Sequence, residues 1–315
     1  MRVRLAGTSL VAALLAASLP SASRADSHTV TAGKSTLSTP APAAGAARSV
    51  KFGVYDPASA FAAAKGVGIE HVYVYWQQLD RRMVRERAAY AQARGRRLLI
   101  TVEPYTHAAD WRSGGHRLFA DIVAGRFDRQ IASVCAEVAA SGDGTIVRWG
   151  HEMEQPVERY PWARKDAEGY KRAYRYFVER CRAVAPSAQF MWSPKGEANL
   201  AEYYPGEDWV HMVGLSVYGL QKWDHRFHGR DRTFAQVFGE KYMRVARFRK
   251  PVVIAEFGVA GSAEYRRAWL EDSARRLAKF PRLTAIVYFN AREPAAWPAG
   301  LGSPDWRVAP TAFLR

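Results

Sequence analysis

Several absences narrow the chemistry of this 315-residue chain. It has no Gly-x-Ser-x-Gly turn, the elbow on which an α/β-hydrolase raises its nucleophilic serine. It has no His-Glu-x-x-His helix to hold a hydrolytic zinc. No glycine-rich turn follows its first strand-like run, which counts against a dinucleotide-binding fold. Cysteine is scarce, with only Cys135 and Cys181. Each falls on the apolar face of a predicted helix, so the pair reads first as small buried hydrophobes, with a disulfide left open to an exported chain. Acidic residues are in the minority, 30 against 46 basic ones, for a net charge of +16, and 36 of the basic residues are Arg. Such a chain is drawn to anionic surfaces or anionic glycans, or else it solvates its helices with arginine. The basic residues are scattered over many segments, which argues against nucleic acid as a partner.

Long apolar runs are lacking too, except at 5–19. That run follows Arg2 and Arg4 and precedes Ser23-Arg24-Ala25, the pattern of a signal peptide over 1–25. It is shorter than the roughly 20 apolar residues of a spanning helix, so stable membrane insertion is not expected and the destination is secreted or periplasmic. Cleavage would remove three arginines and no acid, leaving +13 of the +16. Residues 26–48 are Ala, Ser, Thr and Pro with almost nothing to bury, and read as a disordered tether. The domain expected at 49–315 carries no second break of this kind.

Within it, short runs rich in Val, Ile, Tyr and Phe alternate with stretches of helical period. The strand candidates are 51–56, 71–76, 97–103, 145–152, 189–193, 211–218, 251–257 and 284–290. Helices are predicted over 84–94, 129–140, 167–184, 234–247 and 264–279. Eight strands alternating with helices fit a monomeric (β/α)8 TIM barrel of α/β class. Polar residues gather where the strands end: Asp56, Gln77, Glu103, His151-Glu152, Ser193, Tyr218, Glu256 and Asn290. That end of such a barrel carries the active site.

Glu152 and Glu256 close the fourth and seventh strands, nearly opposite one another across the barrel. Two carboxyl groups are what glycosidic cleavage needs, one to protonate the leaving oxygen and one to attack carbon or activate water. The segment Arg148-Trp149-Gly150-His151-Glu152-Met153, with Tyr160-Pro161-Trp162 after it, resembles the acid/base signature of glycoside hydrolase family 26. Met191-Trp192-Ser193-Pro194, Tyr204-Pro205-Gly206 with 213–218, and the run 250–258 through Glu256 resemble the same family. The family comprises β-mannanases, β-1,3-xylanases and mixed-linkage β-glucanases. The resemblance implies retaining, endo-acting cleavage of a β-linked polysaccharide without a cofactor. Glu152 would be acid/base and Glu256 nucleophile, with His151 orienting the acid/base, Tyr218 donating to the nucleophile and Arg148 supporting the base of the site. One departure concerns the position two residues after the acid/base, where the family usually has Asn followed by Gly and Trp. Here Glu154-Gln155 stand, with no Trp until Trp162. The extra carboxylate is expected to raise the pKa of Glu152 or to rearrange a sugar subsite.

Of ten tryptophans, Trp76, Trp162, Trp192, Trp223, Trp297 and Trp306 fall at strand ends or in the following loops. Trp162, Trp223 and Trp306 are the preferred sugar platforms; Trp192, Glu103 and Asn290 are assigned to substrate as well. His225 and His228 share a predicted loop without a matching carboxylate, so no metal site is expected. The same glutamates would serve a transglycosylase, and a barrel that only binds glycan in exopolysaccharide assembly stays open beside both. A chain lacking 26–48 is expected to fold and act like the full mature chain, because the first strand begins near Lys51. Loss of the cooperative unfolding transition on that deletion would refute the tether reading.

Overall fold

Parallel strands covered on both faces must be apolar on both faces, and the eight runs obey this in the computed structural model. It describes residues 50–106, 117–154, 159–163 and 166–312. The signal-peptide and tether expectations lie outside the described residues, as does Gln155. The strands are β1 Lys51–Tyr55, β2 Val67–Tyr75, β3 Arg97–Glu103, β4 Ile146–Trp149, β5 Gln189–Trp192, β6 Met212–Leu220, β7 Val252–Ala260 and β8 Leu283–Phe289. Each pairs in parallel with the next, and β8 returns to β1, closing a (β/α)8 barrel. The described α-helices are α1 Arg81–Gln92, α2 Leu118–Val123, α3 Asp128–Ala140, α4 Ala167–Val184, α5 Gln221–His228, α6 Phe234–Ala246 and α7 Ala263–Arg276.

Two apolar layers follow from the alternation of side chains along each strand. Ile69, Leu99, Ile146, Met191, Met212, Val253, Ala255 and Val287 fill the lumen. Residues of opposite parity, such as Val147, Trp149, Val213 and Leu215, meet the helices outside. The starts of α1, α4, α6 and α7 are fixed by side-chain caps. Asp80, Asp166, Thr233 and Ser262 each accept a backbone N–H of the first turn, and Thr233 forms a full capping box with Gln236.

Three expectations need correction. β2 begins four residues before the predicted 71, because Val67–Glu70 pair with β1 across an irregular register. His225 and His228 lie on α5, not in a loop, and His225 Nε2 stands 2.6 Å from the carboxylate of Asp231. The cysteines are bonded, with Cα atoms 5.0 Å apart. The apolar-face reading put Cys135 and Cys181 in the right layer. It could not show that α3 and α4 lie side by side, each presenting its thiol to the other.

The disulfide closes a loop spanning 46 residues. Double replacement, Cys135→Ala with Cys181→Ala, is expected to lower unfolding free energy by about 4 kcal/mol, mostly through the unfolded chain. Urea midpoints of oxidised wild type, reduced wild type and the double variant check this. Identical midpoints for all three would show that the crosslink contributes nothing.

Candidate active site

Strict alternation would not aim Glu256 into the barrel. Val252 and Ile254 point outward to the helices, and Val253 and Ala255 point inward. Beyond them Phe257 and Val259 again point outward. The parity changes at Ala255–Glu256, where the register of β7 slips against both β6 and β8. This bulge inserts one residue and turns Glu256 into the lumen after Ala255. Opposite, Gly214, Ser216 and Tyr218 continue the inward parity of β6, and Ser216 pairs with Glu256.

Glu256 arrives beside Arg148, an inward residue of β4 with no solvent exposure. Arg148 Nη1 donates to Glu256 Oε1 at 2.6 Å, and its Nε donates to Ser193 Oγ at 2.8 Å. The Tyr218 hydroxyl donates to Glu256 Oε2 at 2.7 Å. Burial alone would push the Glu256 carboxyl up; the guanidinium and the phenol outweigh it and hold it well below the usual carboxylate range. His151 Nε2 lies 3.9 Å from Glu256 Oε1. The histidine assigned to orient Glu152 therefore stands against the other glutamate. Burial, with Arg148 adding to it, keeps His151 neutral. Deeper in the lumen His71 Nε2 and Thr101 Oγ1 lie 2.7 Å apart, and burial lowers the His71 pKa to about 3.

Glu152 is presented differently. β4 stops at Trp149, and Gly150 and Glu152 both take left-handed backbone conformations, with φ of 54° and 53°. Glycine adopts this freely; a glutamate does so at a cost of order 1–2 kcal/mol. The turn is held by Glu152 N donating to the Ser193 carbonyl at 2.8 Å and by Trp162 Nε1 donating to the His151 carbonyl at 2.6 Å.

Both glutamates line one cavity of about 470 Å³, whose walls include Tyr160, Lys241, Trp223 and Trp297. A second cavity, of about 640 Å³, shares Glu256, Arg159, Tyr160 and Glu293 with the first and continues over Tyr55, Tyr73, Tyr75, Tyr105 and Glu103. The cleft thus has two lobes meeting at Glu256. Glu103 is buried in the tyrosine-lined lobe. Burial, then the negative charge of Glu256, raises its pKa to about 8, with Arg148 and Arg159 pulling the other way.

Of the proposed platforms only Trp223 reaches the cleft, together with Trp297. Trp162, Trp192 and Trp306 have no exposure and cannot meet a sugar. Trp162 stacks beneath Tyr160 at 4.8 Å between ring centres, and Trp306 backs Tyr218 at 4.6 Å. Trp192 packs between Tyr204 and Phe248. Strand-end position could not distinguish a ring lining the cleft from one supporting a lining ring. Asn290 is also buried. Its Nδ2 donates to Asp56 at 3.1 Å and its Oδ1 accepts from Val308 N at 2.8 Å, so it ties chain segments together. Glu154 turns away from the cleft, its Oε1 accepting from Gly196 N at 2.7 Å and Glu197 N at 3.1 Å. Sequence reasoning missed Tyr73 and Tyr75, although their alternation with Val72 and Val74 on β2 was a readable inward stripe.

Residues 106–270 match the family model of glycosyl hydrolase family 26. Endoglucanase H of Acetivibrio thermocellus is 24% identical over 245 residues, 73% of this chain and 25% of that protein. Beta-1,3-xylanase TXYA of a Vibrio species is 24% identical over 113 residues, 33% of this chain and 24% of that protein. The chain spans about a quarter of the length of these curated relatives. The catalytic domain of the endo-beta-1,4-mannanase of Bacillus sp. JAMB-750 superposes with a TM-score of 0.63 at 15% identity, covering 85% of each chain.

Because Arg148 and Tyr218 depress Glu256, losing either must raise its pKa. In Tyr218→Phe the acid limb of the kcat/KM profile should move to higher pH, with a fall of about 10- to 100-fold at the optimum, the range of one hydrogen bond to a charge. Gly258→Ala should shift the limb the same way, since an added Cβ would sit 2.9 Å from the Tyr218 ring. A limb unmoved in both variants would assign it to another group.

Proposed function

The chain belongs to glycosyl hydrolase family 26, and on that premise we propose that it cleaves a β-linked polysaccharide with retention, Glu256 attacking and Glu152 serving as acid/base. The observation that carries the reading is the contrast between the carboxyl groups. Glu256 is held ionised by a buried guanidinium and a phenol. Glu152 is raised on a left-handed turn into the same cavity. In the first step Glu152 gives its proton to the glycosidic oxygen as the Glu256 carboxylate bonds to the anomeric carbon, and the leaving chain departs as an alcohol. In the second, Glu152 takes a proton from water, the hydroxide attacks the anomeric carbon, and the ester to Glu256 breaks. An open cleft with two lobes meeting at the attacking carboxylate suits binding on both sides of a bond within a chain, hence endo action. The relatives that act on glucan, xylan and mannan support β-glycans as the substrate class. Export to the periplasm or beyond belongs to the same proposal, supported by the N-terminal pattern and by a disulfide, which persists in oxidising compartments.

An activated aryl β-glycoside separates the steps, because a phenolate barely needs a proton to leave. Glu152→Ala should keep a fast first step, stall as the glycosyl-enzyme, and be rescued by azide to give the β-azide. Glu256→Ala should lose both steps and give the α-azide. Azide products of opposite configuration would exchange the two roles, and full activity in either variant would place the chemistry elsewhere.

A further inference from the structure

The lobe that holds Glu152 carries cations that the hydrolytic mechanism does not use. Arg159 is paired with Glu293, Arg232 with Asp224 and Lys195 with Glu197. Lys241 and Arg244 differ. Neither has an ion-pair partner among the described residues, and both donate to backbone carbonyls. Lys241 Nζ donates to Ser216 O at 2.6 Å and Arg244 Nη1 to Gly196 O at 2.5 Å. One carbonyl leaves an ammonium with two further N–H groups and a guanidinium with four.

The surroundings are shaped to this lysine. Val237, Glu240, Lys241 and Arg244 follow one another at i, i+3, i+4 and i+7 of α6, so a single helix face lines the lobe. The loop at Gly196 lies directly on Lys241. A Cβ at 196 would stand 2.7 Å from the Lys241 Cγ, and the φ of 105° there is one that side chains rarely adopt. Glu154 clamps the same loop from the other side through the N–H groups of Gly196 and Glu197. A half-buried ammonium is costly when no carboxylate stands at ion-pair distance, and Glu152, Glu154 and Glu197 act on Lys241 only from further off. Here it stands in the wall of a cavity whose rings, Trp223 and Trp297, are partly exposed and available to a sugar face.

We infer that this lobe takes a sugar residue bearing a carboxylate, with Lys241 and Arg244 as its counter-ions and Trp223 and Trp297 against its ring. The inference rests on the glycanase reading and narrows it to acidic β-glycans. It also predicts a pH range. Burial, with the like charge of Lys195, brings the Lys241 ammonium down to about 8, while Glu152, Glu197 and Glu154 pull it the other way. Arg244 and the exposed Glu240 complete the charged groups on its helix face. Recognition therefore needs both ions: it is full between about pH 5, above which a sugar carboxyl is ionised, and the Lys241 value, and it weakens as the pH rises through the latter.

The test compares β-1,4-mannan and mixed-linkage β-glucan, each partly oxidised at C6 to carboxylates, with the unoxidised parents. Binding to the full wild-type chain is measured by affinity electrophoresis and cleavage by product sizing. Wild type should prefer an oxidised polymer by about 10- to 100-fold, the range of a charged hydrogen bond. Salt and pH above 8 should both erode the preference. Lys241→Met should abolish it and Lys241→Arg should restore it at neutral pH. If Lys241→Met does not fold, the salt dependence in wild type and the Lys241→Arg variant still decide. Equal or better binding of the parents, or no binding of either form, would overturn the inference, as would a preference that survives in folded Lys241→Met. Preferential binding without cleavage would sink the glycanase reading alone, and cleavage without preference would sink this inference alone.

Discussion

Arg148 has no contact with solvent, and its charge must be answered inside the barrel. Burying an ion is expensive unless a partner and further hydrogen bonds replace the lost water. The answer is distributed over three strands besides its own: Glu256 from β7, Ser193 just beyond β5, and Thr101 of β3 at 3.4 Å. This one guanidinium therefore holds Glu256 ionised, adds to the burial that keeps His71 and His151 neutral, and joins four strands in the lumen. Removing it would strand the Glu256 carboxylate in a low dielectric, so the electrostatics of the site and the integrity of the lumen are a single constraint.

Most of the barrel was legible because parallel strands announce themselves as apolar runs, and β3 runs from Arg97 to Glu103 as the sequence predicts. The site was legible less evenly. Glu152 and Glu256 could be found as carboxyls after apolar runs. The inward aim of Glu256 could not, because in Val-Val-Ile-Ala-Glu-Phe the outward and inward residues are equally apolar and a bulge leaves no mark. The tryptophans failed for a related reason. Position along the chain locates a ring near the cleft but does not say in which layer it lies, and Trp162 and Trp306 lie one layer too deep. His151 was close in sequence to one glutamate and close in space to the other.

Glu154 illustrates how a departure from a family pattern can be absorbed by the fold. As a string, a second glutamate two residues after Glu152 looks like an electrostatic disturbance of the acid/base. In the structure it accepts two backbone N–H groups and so fastens the loop after β5 to the end of β4. Its charge is spent on the shape of the cleft wall.

The left-handed turn at Glu152 has a consequence for the evolution of the chain. Glycine or asparagine would occupy that backbone conformation with less strain than glutamate. Selection for a stable fold and selection for a carboxyl group therefore oppose one another at this residue. A lineage released from the need to turn over substrate would gain stability by its first loss of the acid, and drift from enzyme to lectin would run downhill.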